Sequence, residues 1–297
     1  MLSVDCEELK SKVRGASSAE FSRLVDEVSE VLKAEGERRG GSGLVELAAS
    51  GKLAVVGDIH GDLRSLLFIL NGVRGADKIL FLGDYGDRGD ESVEVYLVIL
   101  ELKRRFGDAV ILLRGNHEGP PDLQAVPHDL PLFFRRKYGG EGVRLYEKVR
   151  AFWELLPFSA MVKRRYLFVH GGVPTHVASK EDIAFAHEMH PQRPNFEEIL
   201  WSDPAEGQGS MPSFRGAGQL FGEDVTERAL SVLGVRTLIR SHEPCDGGVE
   251  VRQHGKVLTV FSRKGMPYMN RYAAYLLLDA TEPAKDAYEL VRASVRF

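Results

Sequence analysis

The sequence predicts an α/β protein whose central strands are buried on both faces. From residue 52 onward, short apolar runs alternate with longer helical patterns in a βαβαβ order, and each run is almost continuously apolar. Strands of that composition are typical of sheets covered on both sides. Each run also ends in a cluster of polar residues and glycine. Because ligand sites in open α/β sheets lie at the carboxyl ends of the strands, these clusters predict the functional site.

The first fifty residues predict a helix followed by a loop. Ser17 and Glu20 fit a capping box, and apolar residues recur at helical spacing from Phe21 to Leu32. Four glycines within residues 36–43 favour a loop after this helix. We therefore expect a helical extension over residues 1–50 and a single domain over residues 51–297.

The elements of that domain follow in order along the chain. Apolar runs predict strands in residues 53–58, 78–84 and 109–116, and helical patterns separate them in residues 63–72 and 91–106. The same arrangement of an apolar run before a polar cluster recurs in residues 166–172 and 235–243. The last part of the chain predicts antiparallel strands, with a hairpin turn near His254 and Gly255, in residues 249–255, 256–262 and 272–279.

Composition excludes several classes of function. The chain has 297 residues, with 43 acidic and 39 basic side chains and a formal net charge of −4. That balance argues against a dedicated nucleic-acid or membrane-surface binder. The sequence lacks a long apolar run and a signal-peptide pattern, so we expect a cytoplasmic protein without a membrane partner. Neither Cys6 nor Cys245 is followed by the arginine that cysteine-dependent phosphatases need, and two cysteines cannot build a cysteine-rich zinc site.

Six polar side chains that follow the predicted strands form a candidate metal-binding set. Five separate strand ends supply them: Asp58, His60, Asp84, Asn116, His170 and His242. Imidazole, carboxylate and amide ligands together suit manganese, iron or zinc better than calcium or magnesium. Six ligands are too many for one catalytic metal that keeps an open position, whereas two metals sharing Asp84 would use them all. Two divalent ions against two carboxylates would leave a positive centre that attracts hydroxide and a phosphate dianion.

These polar clusters resemble the signature series of the PPP family of serine/threonine protein phosphatases. The similar blocks stand in family order: GDIHG (57–61), GDYGDRG (83–89), GNHE (115–118), HGG (170–172), WSDP (201–204), RGAG-x-x-FG (215–222) and IRSH (239–242). The series is similar to that of the protein phosphatase 1/2A group, and the short chain resembles an archaeal-type member. The resemblance implies a metallophosphoesterase-type sandwich of two mixed β-sheets flanked by helices, with residues 51–297 as the catalytic domain.

The resemblance also implies how the six ligands divide between two divalent metal ions. Manganese is expected first, with iron or zinc as alternatives, and no further cofactor is expected. The first ion would be held by Asp58, His60 and Asp84, and the second by Asp84, Asn116, His170 and His242.

The matching blocks imply roles in catalysis as well. His117 would be the general acid that protonates the leaving serine or threonine oxygen, with Asp87 holding its imidazole in place. Arg88 and Arg240, together with Asn116, would bind the phosphoryl oxygens, to which guanidinium groups offer bidentate hydrogen bonds. The implied reaction is in-line attack of a dimetal-bound hydroxide on phosphoserine or phosphothreonine, without a covalent phosphoenzyme.

Phosphoproteins or phosphopeptides are therefore the expected partners, and a regulatory subunit cannot be identified from the sequence. Two alternatives stay open. A symmetrical diadenosine tetraphosphate hydrolase shares the metal motifs, although the WSDP and RGAG blocks favour the protein phosphatase. A catalytically inactive phosphopeptide-binding module is the other alternative, and the intact ligand set and His117 argue against it.

The chain departs from the family pattern at Gly86 and in the loop after residue 262. Gly86 stands where the family usually has valine, which predicts looser packing there. The family's tyrosine-bearing loop after residue 262 has a different sequence here, so Tyr268 and Tyr272 are alternative replacements. Residues 119–131, which follow the GNHE block and contain four prolines, predict either a stiff flap that shapes substrate access or an inert surface excursion. His128 lies in that segment, outside every block, and has no role that the sequence assigns.

Overall fold

The computed structural model describes residues 2–297, and its strands form two large sheets and one small one. In chain order the strands are β1 (Leu44–Leu47), β2 (Lys52–Val56), β3 (Lys78–Phe81), β4 (Val110–Leu112), β5 (Ser159–Val162), β6 (Tyr166–Val169), β7 (Asp203–Pro204), β8 (Ser210–Pro212), β9 (Gln219–Phe221), β10 (Thr237–Arg240), β11 (Val249–Arg252), β12 (Val257–Val260), β13 (Ala274–Asp279) and β14 (Ser294–Arg296).

Two helices precede the first strand and the others lie between strands, and their bounds agree with the sequence pattern where a helix was predicted. In chain order they are α1 (Cys6–Gly15), α2 (Ser18–Arg38), α3 (Leu63–Gly72), α4 (Ser92–Phe106), α5 (Leu130–Tyr138), α6 (Gly142–Trp153), α7 (Glu181–Ala184), α8 (Asn195–Trp201), α9 (Glu223–Leu233) and α10 (Ala287–Leu290). The capping box that starts α2 is present, since Ser17 and Glu20 exchange side-chain and backbone hydrogen bonds. None of the described helices combines the length and apolarity that crossing a membrane requires.

The two large sheets are mixed and pack face to face. One has the strand order β14-β13-β2-β3-β4, and the other has the order β1-β5-β6-β10-β12-β11. Strands β2, β3 and β4 run parallel to one another, as do β6, β10 and β12. The predicted α/β sandwich of two mixed sheets is confirmed. The small sheet, β7-β9-β8, was not predicted, because strands of two or three residues leave no periodic signal.

Three apolar cores separate the layers. The middle core lies between the sheets and takes residues such as Val55 and Leu80 from one sheet and Phe168 and Leu258 from the other. A second core lies between the outer face of the five-stranded sheet and helices α1 to α6. A third core covers the outer face of the six-stranded sheet with α8 and α9. Both large sheets are thus buried on both faces, which explains the nearly continuous apolar runs in their central strands.

Two parts of the chain differ from the sequence-based expectation. Residues 1–50 contain strand β1, which pairs in parallel with β5 at the edge of the six-stranded sheet. Strand β13 does not continue the β11–β12 hairpin but pairs antiparallel with β2 in the other sheet. The pattern of apolar residues predicts where a strand forms but not which strand it pairs with. The pairing of distant strands could therefore not be predicted from the sequence. The helices of the first fifty residues pack into the second core, and the division at residue 50 stays a prediction.

Candidate metal centre and active site

The polar clusters identified in the sequence meet at one edge of the sandwich. Asp58 and His60 follow β2, Asp84 follows β3, and Asn116 and His117 follow β4. From the facing sheet, His170 follows β6 and His242 follows β10. An isolated parallel bridge between Asp58 and Phe261, just beyond β12, joins the two sheets at this edge. Because parallel strands present their carboxyl ends together, residues far apart in sequence converge on one site.

One group of candidate ligand atoms surrounds the imidazole of His60. Its Nε2 lies 3.5 Å from Oδ2 of Asp58 and 3.4 Å from Oδ2 of Asp84. Its Nδ1 lies 2.8 Å from the carbonyl oxygen of Gly86, to which it can donate a hydrogen bond. That bond leaves the Nε2 lone pair facing the two carboxylates, which is the orientation of a metal-ligating histidine.

A second group of ligand atoms lies on the other side of Asp84. Nε2 of His170 is 3.4 Å from Oδ1 of Asp84, 3.0 Å from Oδ1 of Asn116 and 3.2 Å from Nδ1 of His242. Nδ1 of His170 lies 3.1 Å from the carbonyl oxygen of Leu82, which fixes the same tautomer as in His60. The two oxygens of Asp84 therefore face two different groups of side chains, an arrangement in which Asp84 would be shared by two metal ions.

The buried carboxylates and imidazoles of the site have shifted pKa values that are consistent with a bound cation. Burial, followed by the charge of Asp58, raises the pKa of Asp84 well above its ordinary value. Burial opposes ionisation of Asp58 as well, but the imidazoles of His60 and His170 outweigh it and hold the pKa of Asp58 below its usual range. Burial lowers the pKa of His170 to about 4, and burial with the neighbouring His170 lowers that of His242 well below its ordinary value. Neutral imidazoles beside buried carboxylates fit divalent cations.

The backbone at the site is held in an uncommon conformation. Five non-glycine residues there have left-handed φ values: His60 (43°), Asp84 (56°), Asp87 (62°), Arg88 (65°) and His242 (67°). Side chains with a Cβ atom avoid this region, so the surrounding structure must stabilise it. Such residues cluster where function fixes the direction of side chains.

Glu118 supplies part of that stabilisation and was given no role by the sequence. It is fully buried, and its Oε2 accepts hydrogen bonds from the backbone N–H groups of Asp84 (2.8 Å) and Gly115 (3.1 Å). Its Oε1 accepts bonds from the N–H of Tyr85 (3.0 Å) and the hydroxyl of Tyr96 (2.9 Å). Glu118 thus ties the loop after β3 to the loop after β4. The position of Glu118 in the GNHE block was the feature of the sequence that could have indicated a role for it.

His117 and Asp87 form a close pair beside the ligand groups. Nδ1 of His117 lies 2.6 Å from Oδ2 of Asp87, and the backbone N–H of His117 donates to Oδ1 of Asp84 at 3.0 Å. Burial lowers the pKa of His117 to about 4, against the opposing effect of the Asp87 carboxylate. Burial works against ionisation of Asp87 also, but hydrogen bonds from His117 and His128 hold its pKa below the ordinary value.

Arg240, which was predicted to bind phosphate, points away from the site. It is fully buried, and its guanidinium donates to Gly171 O (2.7 Å), Ser202 O (3.3 Å), Glu243 (2.8 Å) and Asp203 (2.6 Å). With its donors used by protein oxygens, Arg240 has no geometry for gripping a phosphoryl group, and that prediction is wrong. The guanidinium stabilises the WSDP loop through Asp203 instead.

Arg215 occupies the place that was expected for Arg240. It lines the cavity over the ligand groups, and its Nε donates to Oδ2 of Asp203 at 2.6 Å. Among the described residues, its two Nη atoms have no hydrogen-bond partner. The sequence did offer a signal, because Arg215 lies in the RGAG block between β8 and β9, whereas Arg240 ends a buried strand.

The cavity itself is small and polar. Its volume is about 310 Å³, and its walls include His60, Asp84, Arg88, Asn116, His117, Trp201, Arg215, His242 and Tyr268. Tyr268 stacks on the ring of His60 with 5.6 Å between ring centroids, whereas Tyr272 is 47% exposed. Of the two tyrosines that the sequence left open, Tyr268 therefore lines the site. Arg88 lies at the cavity, with its Nη atoms donating to the carbonyl oxygens of Pro127 (3.0 Å) and Val126 (3.3 Å).

Known proteins with similar sequences and folds carry related names. Residues 51–246 match the family described as calcineurin-like phosphoesterase. The chain is 33% identical over 292 residues to a probable serine/threonine-protein phosphatase of Encephalitozoon cuniculi, covering 97% of this chain and 62% of that protein. It is 36% identical over 219 residues to serine/threonine-protein phosphatase T of Saccharomyces cerevisiae, covering 71% of this chain and 41% of that protein. The chain thus spans less than two thirds of each of these relatives.

A solved structure shows the same arrangement of the fold. It is a protein serine/threonine phosphatase from Saccharomyces cerevisiae, described as similar to human phosphatase PP5, with a TM-score of 0.77 and 26% sequence identity. The match covers 95% of this chain and 89% of that one. Since the family match covers most of the chain and includes the strand-end clusters, this chain belongs to the calcineurin-like phosphoesterase family.

Proposed function

We propose that this chain is a metal-dependent phosphatase that hydrolyses phosphoserine and phosphothreonine monoesters in proteins. The observation that carries the proposal is the position of Asp84, whose two oxygens face separate ligand groups beside the His117–Asp87 pair. The two sequence relatives described above are named as serine/threonine-protein phosphatases, which supports the substrate class. Phosphoprotein partners and a cytoplasmic location belong to the same proposal.

The ligand groups would hold two divalent ions, and we propose manganese for both. Asp58, His60 and Asp84 would bind the first, and Asp84, Asn116, His170 and His242 the second. Imidazole, carboxylate and amide donors suit manganese, with iron and zinc next. When bound, two such ions would neutralise charge on the phosphoryl oxygens and bring the pKa of a water molecule toward ~7.

His117 would act as the general acid. Because its Nδ1 is bound to Asp87, Nε2 is the nitrogen left to face the cavity. Asp87 favours the imidazolium form, and an incoming phosphate dianion would favour it further. The imidazolium would then donate its Nε2 proton to the departing serine or threonine oxygen, for which a positioned acid contributes typically about 10²–10⁴-fold.

Arg215 would bind the phosphoryl oxygens together with Arg88 and Asn116. We expect Arg215→Lys to lower kcat/KM by about 10- to 100-fold, because lysine offers a point charge in place of a bidentate fork. Since the phosphoryl group is common to every substrate, the loss should be similar for a phosphothreonine peptide and for p-nitrophenyl phosphate. Steady-state kinetics on both substrates measures it.

Arg240→Met is expected to lower the stability of the protein, in contrast to Arg215→Lys, which is expected to lower its activity. Removal of this guanidinium leaves Asp203 buried without one of its partners, a change that costs about 3–5 kcal/mol of unfolding free energy. We therefore expect a lower melting temperature for Arg240→Met and an unchanged one for Arg215→Lys, whose side chain is 28% exposed. An Arg215→Lys variant with unchanged kcat/KM would contradict the assignment of Arg215.

The substrate class is tested by giving the manganese-loaded chain a phosphothreonine peptide and diadenosine tetraphosphate at equal concentration. Faster release of phosphate from the peptide supports the protein phosphatase. Faster cleavage of the dinucleotide would retain the metal centre and overturn the substrate class. Binding of the phosphopeptide without turnover of either compound would identify an inactive binding module.

A further inference from the structure

The segment over residues 119–131 contacts Asp87 and Arg88 of the GDYGDRG block. The backbone N–H groups of Asp129 and Leu130 donate to Oδ1 of Asp87 at 2.7 and 2.6 Å. Nδ1 of His128 lies 2.8 Å from Oδ2 of the same carboxylate. The carbonyl oxygens of this segment also accept the bonds from Arg88. The segment is therefore built into the active site, which contradicts an inert surface excursion.

We propose that His128 is a positioning residue for the general acid His117, acting through their shared partner Asp87. The proposal rests on the proposed function, since it assigns His128 to the proton transfer that His117 performs there. No block of the family pattern includes this histidine, and its place in the site follows from the contacts of residues 119–131.

The hydrogen bonds of Asp87 determine which atoms donate and which accept among Asp87, His117 and His128. Oδ2 faces Nδ1 of His117 and Nδ1 of His128, while Oδ1 accepts two backbone N–H groups. Hydrogen bonds from His117 and His128 hold the pKa of Asp87 below its ordinary value, so the carboxylate is ionised and only accepts hydrogen bonds. Both imidazoles then donate to it through Nδ1.

Tyr146 continues this series of bonds away from the cavity. Its hydroxyl lies 2.7 Å from Nε2 of His128, and when Nδ1 of His128 donates to Asp87, Nε2 can accept a hydrogen bond from that hydroxyl. The side chains of Asp87 and His128 are 1% and 9% exposed, and Tyr146 is buried. Water is thus largely excluded, so the bond to Asp87 cannot be replaced by solvent at low cost.

Packing keeps the segment in this place. A Cβ atom at Gly86 would lie 2.9 Å from the ring of Tyr96 and 3.1 Å from a methyl group of Leu130. The space that the family fills with valine is therefore taken by neighbouring side chains, including one that follows His128. The looser packing predicted for Gly86 is wrong, because the absent side chain makes room for the start of α5.

A purely structural role for His128 would affect all substrates alike, and a positioning role would not. Loss of the Nδ1 donor frees Asp87 to shift, and with it the imidazole of His117. Protonation of a serine or threonine oxygen should then suffer, whereas p-nitrophenolate leaves with little protonation. The ratio of kcat on a phosphothreonine peptide to kcat on p-nitrophenyl phosphate separates the two roles.

Asparagine and glutamine form a matched pair of variants at position 128. The amide nitrogen of asparagine can take the position of Nδ1 and keep the bond to Asp87, whereas that of glutamine reaches the position of Nε2. We expect His128→Gln to lower kcat on the peptide by about tenfold, with kcat on p-nitrophenyl phosphate and both KM values within about twofold. His128→Asn should retain most of the activity on both substrates.

Equal losses on the two substrates, equal behaviour of the two variants, or no loss at all would overturn the proposal. If His128→Gln does not fold, Tyr146→Phe removes only the hydroxyl bound to Nε2, and a loss of about threefold confined to the peptide is expected. Wild-type chain that hydrolyses neither substrate with manganese would instead refute the proposed function. NMR of histidine-labelled chain then still tests the inference, through bonded Nδ1–H signals from His117 and His128.

Discussion

Replacement of Asp84 by asparagine is expected to lower phosphate release by about 10³-fold or more. The carboxylate serves both ligand groups, with Oδ2 facing His60 and Oδ1 facing His170. Asparagine has nearly the same shape but only one oxygen and no charge, so it cannot bridge two cations. Several kcal/mol of charge stabilisation would be lost, and each 1.36 kcal/mol corresponds to a factor of ten in rate.

Metal analysis and kinetics on the same sample measure this effect. The Asp84→Asn variant should hold fewer than two manganese ions per chain after gel filtration, whereas we expect the wild type to hold two. Asp90→Asn is the matched control, because Asp90 lies in the same loop and its side chain is 85% exposed. Activity of Asp84→Asn within tenfold of the wild type would exclude Asp84 as a bridging ligand.

His117→Asn is expected to have a large effect that depends on the leaving group. We expect kcat on a phosphothreonine peptide to fall by about 10²–10³-fold, because the alkoxide would depart without a proton from the acid. The fall on p-nitrophenyl phosphate should be much smaller. The manganese content should not change, since His117 lies beside the proposed ligand set and is not part of it.

Paired kinetics on the two substrates provide the measurement. His254→Asn serves as the control, because His254 is exposed and its left-handed backbone suits asparagine. Equal losses on both substrates for His117→Asn would show that this histidine does not act as the acid. Loss of manganese would instead place it among the metal ligands.

The sequence predicted the strand ends of this protein better than its strand partners. The clusters at Asp58, Asp84 and Asn116 were found because an apolar run followed by glycine and polar residues is a local signal. The pairing of β13 with β2 joins segments more than two hundred residues apart in the chain, and no local pattern encodes it. The edge strand β1 escaped notice because it has four residues and follows a glycine-rich loop.

Within the site, the sequence identified the types of residue that bind phosphate but not which of them are buried away from the cavity. Arg215 and Arg240 both lie in blocks that resemble the family pattern, and a guanidinium in either place could bind phosphate. Only the structure shows that Arg240 is used by four protein oxygens while Arg215 faces the cavity. His128 was beyond prediction for another reason, because its contact with Asp87 spans forty-one residues and depends on the path of residues 119–131.

If hydrolysis depends on two metal ions bound at the strand ends, a manganese titration of the metal-free chain will show it. Metal-free chain would receive increasing manganese while phosphate release from a phosphothreonine peptide is followed. We predict no activity without metal and a rise that levels off near two ions per chain. Full activity in the metal-free chain, or a maximum at one ion, would rule out a two-metal active site.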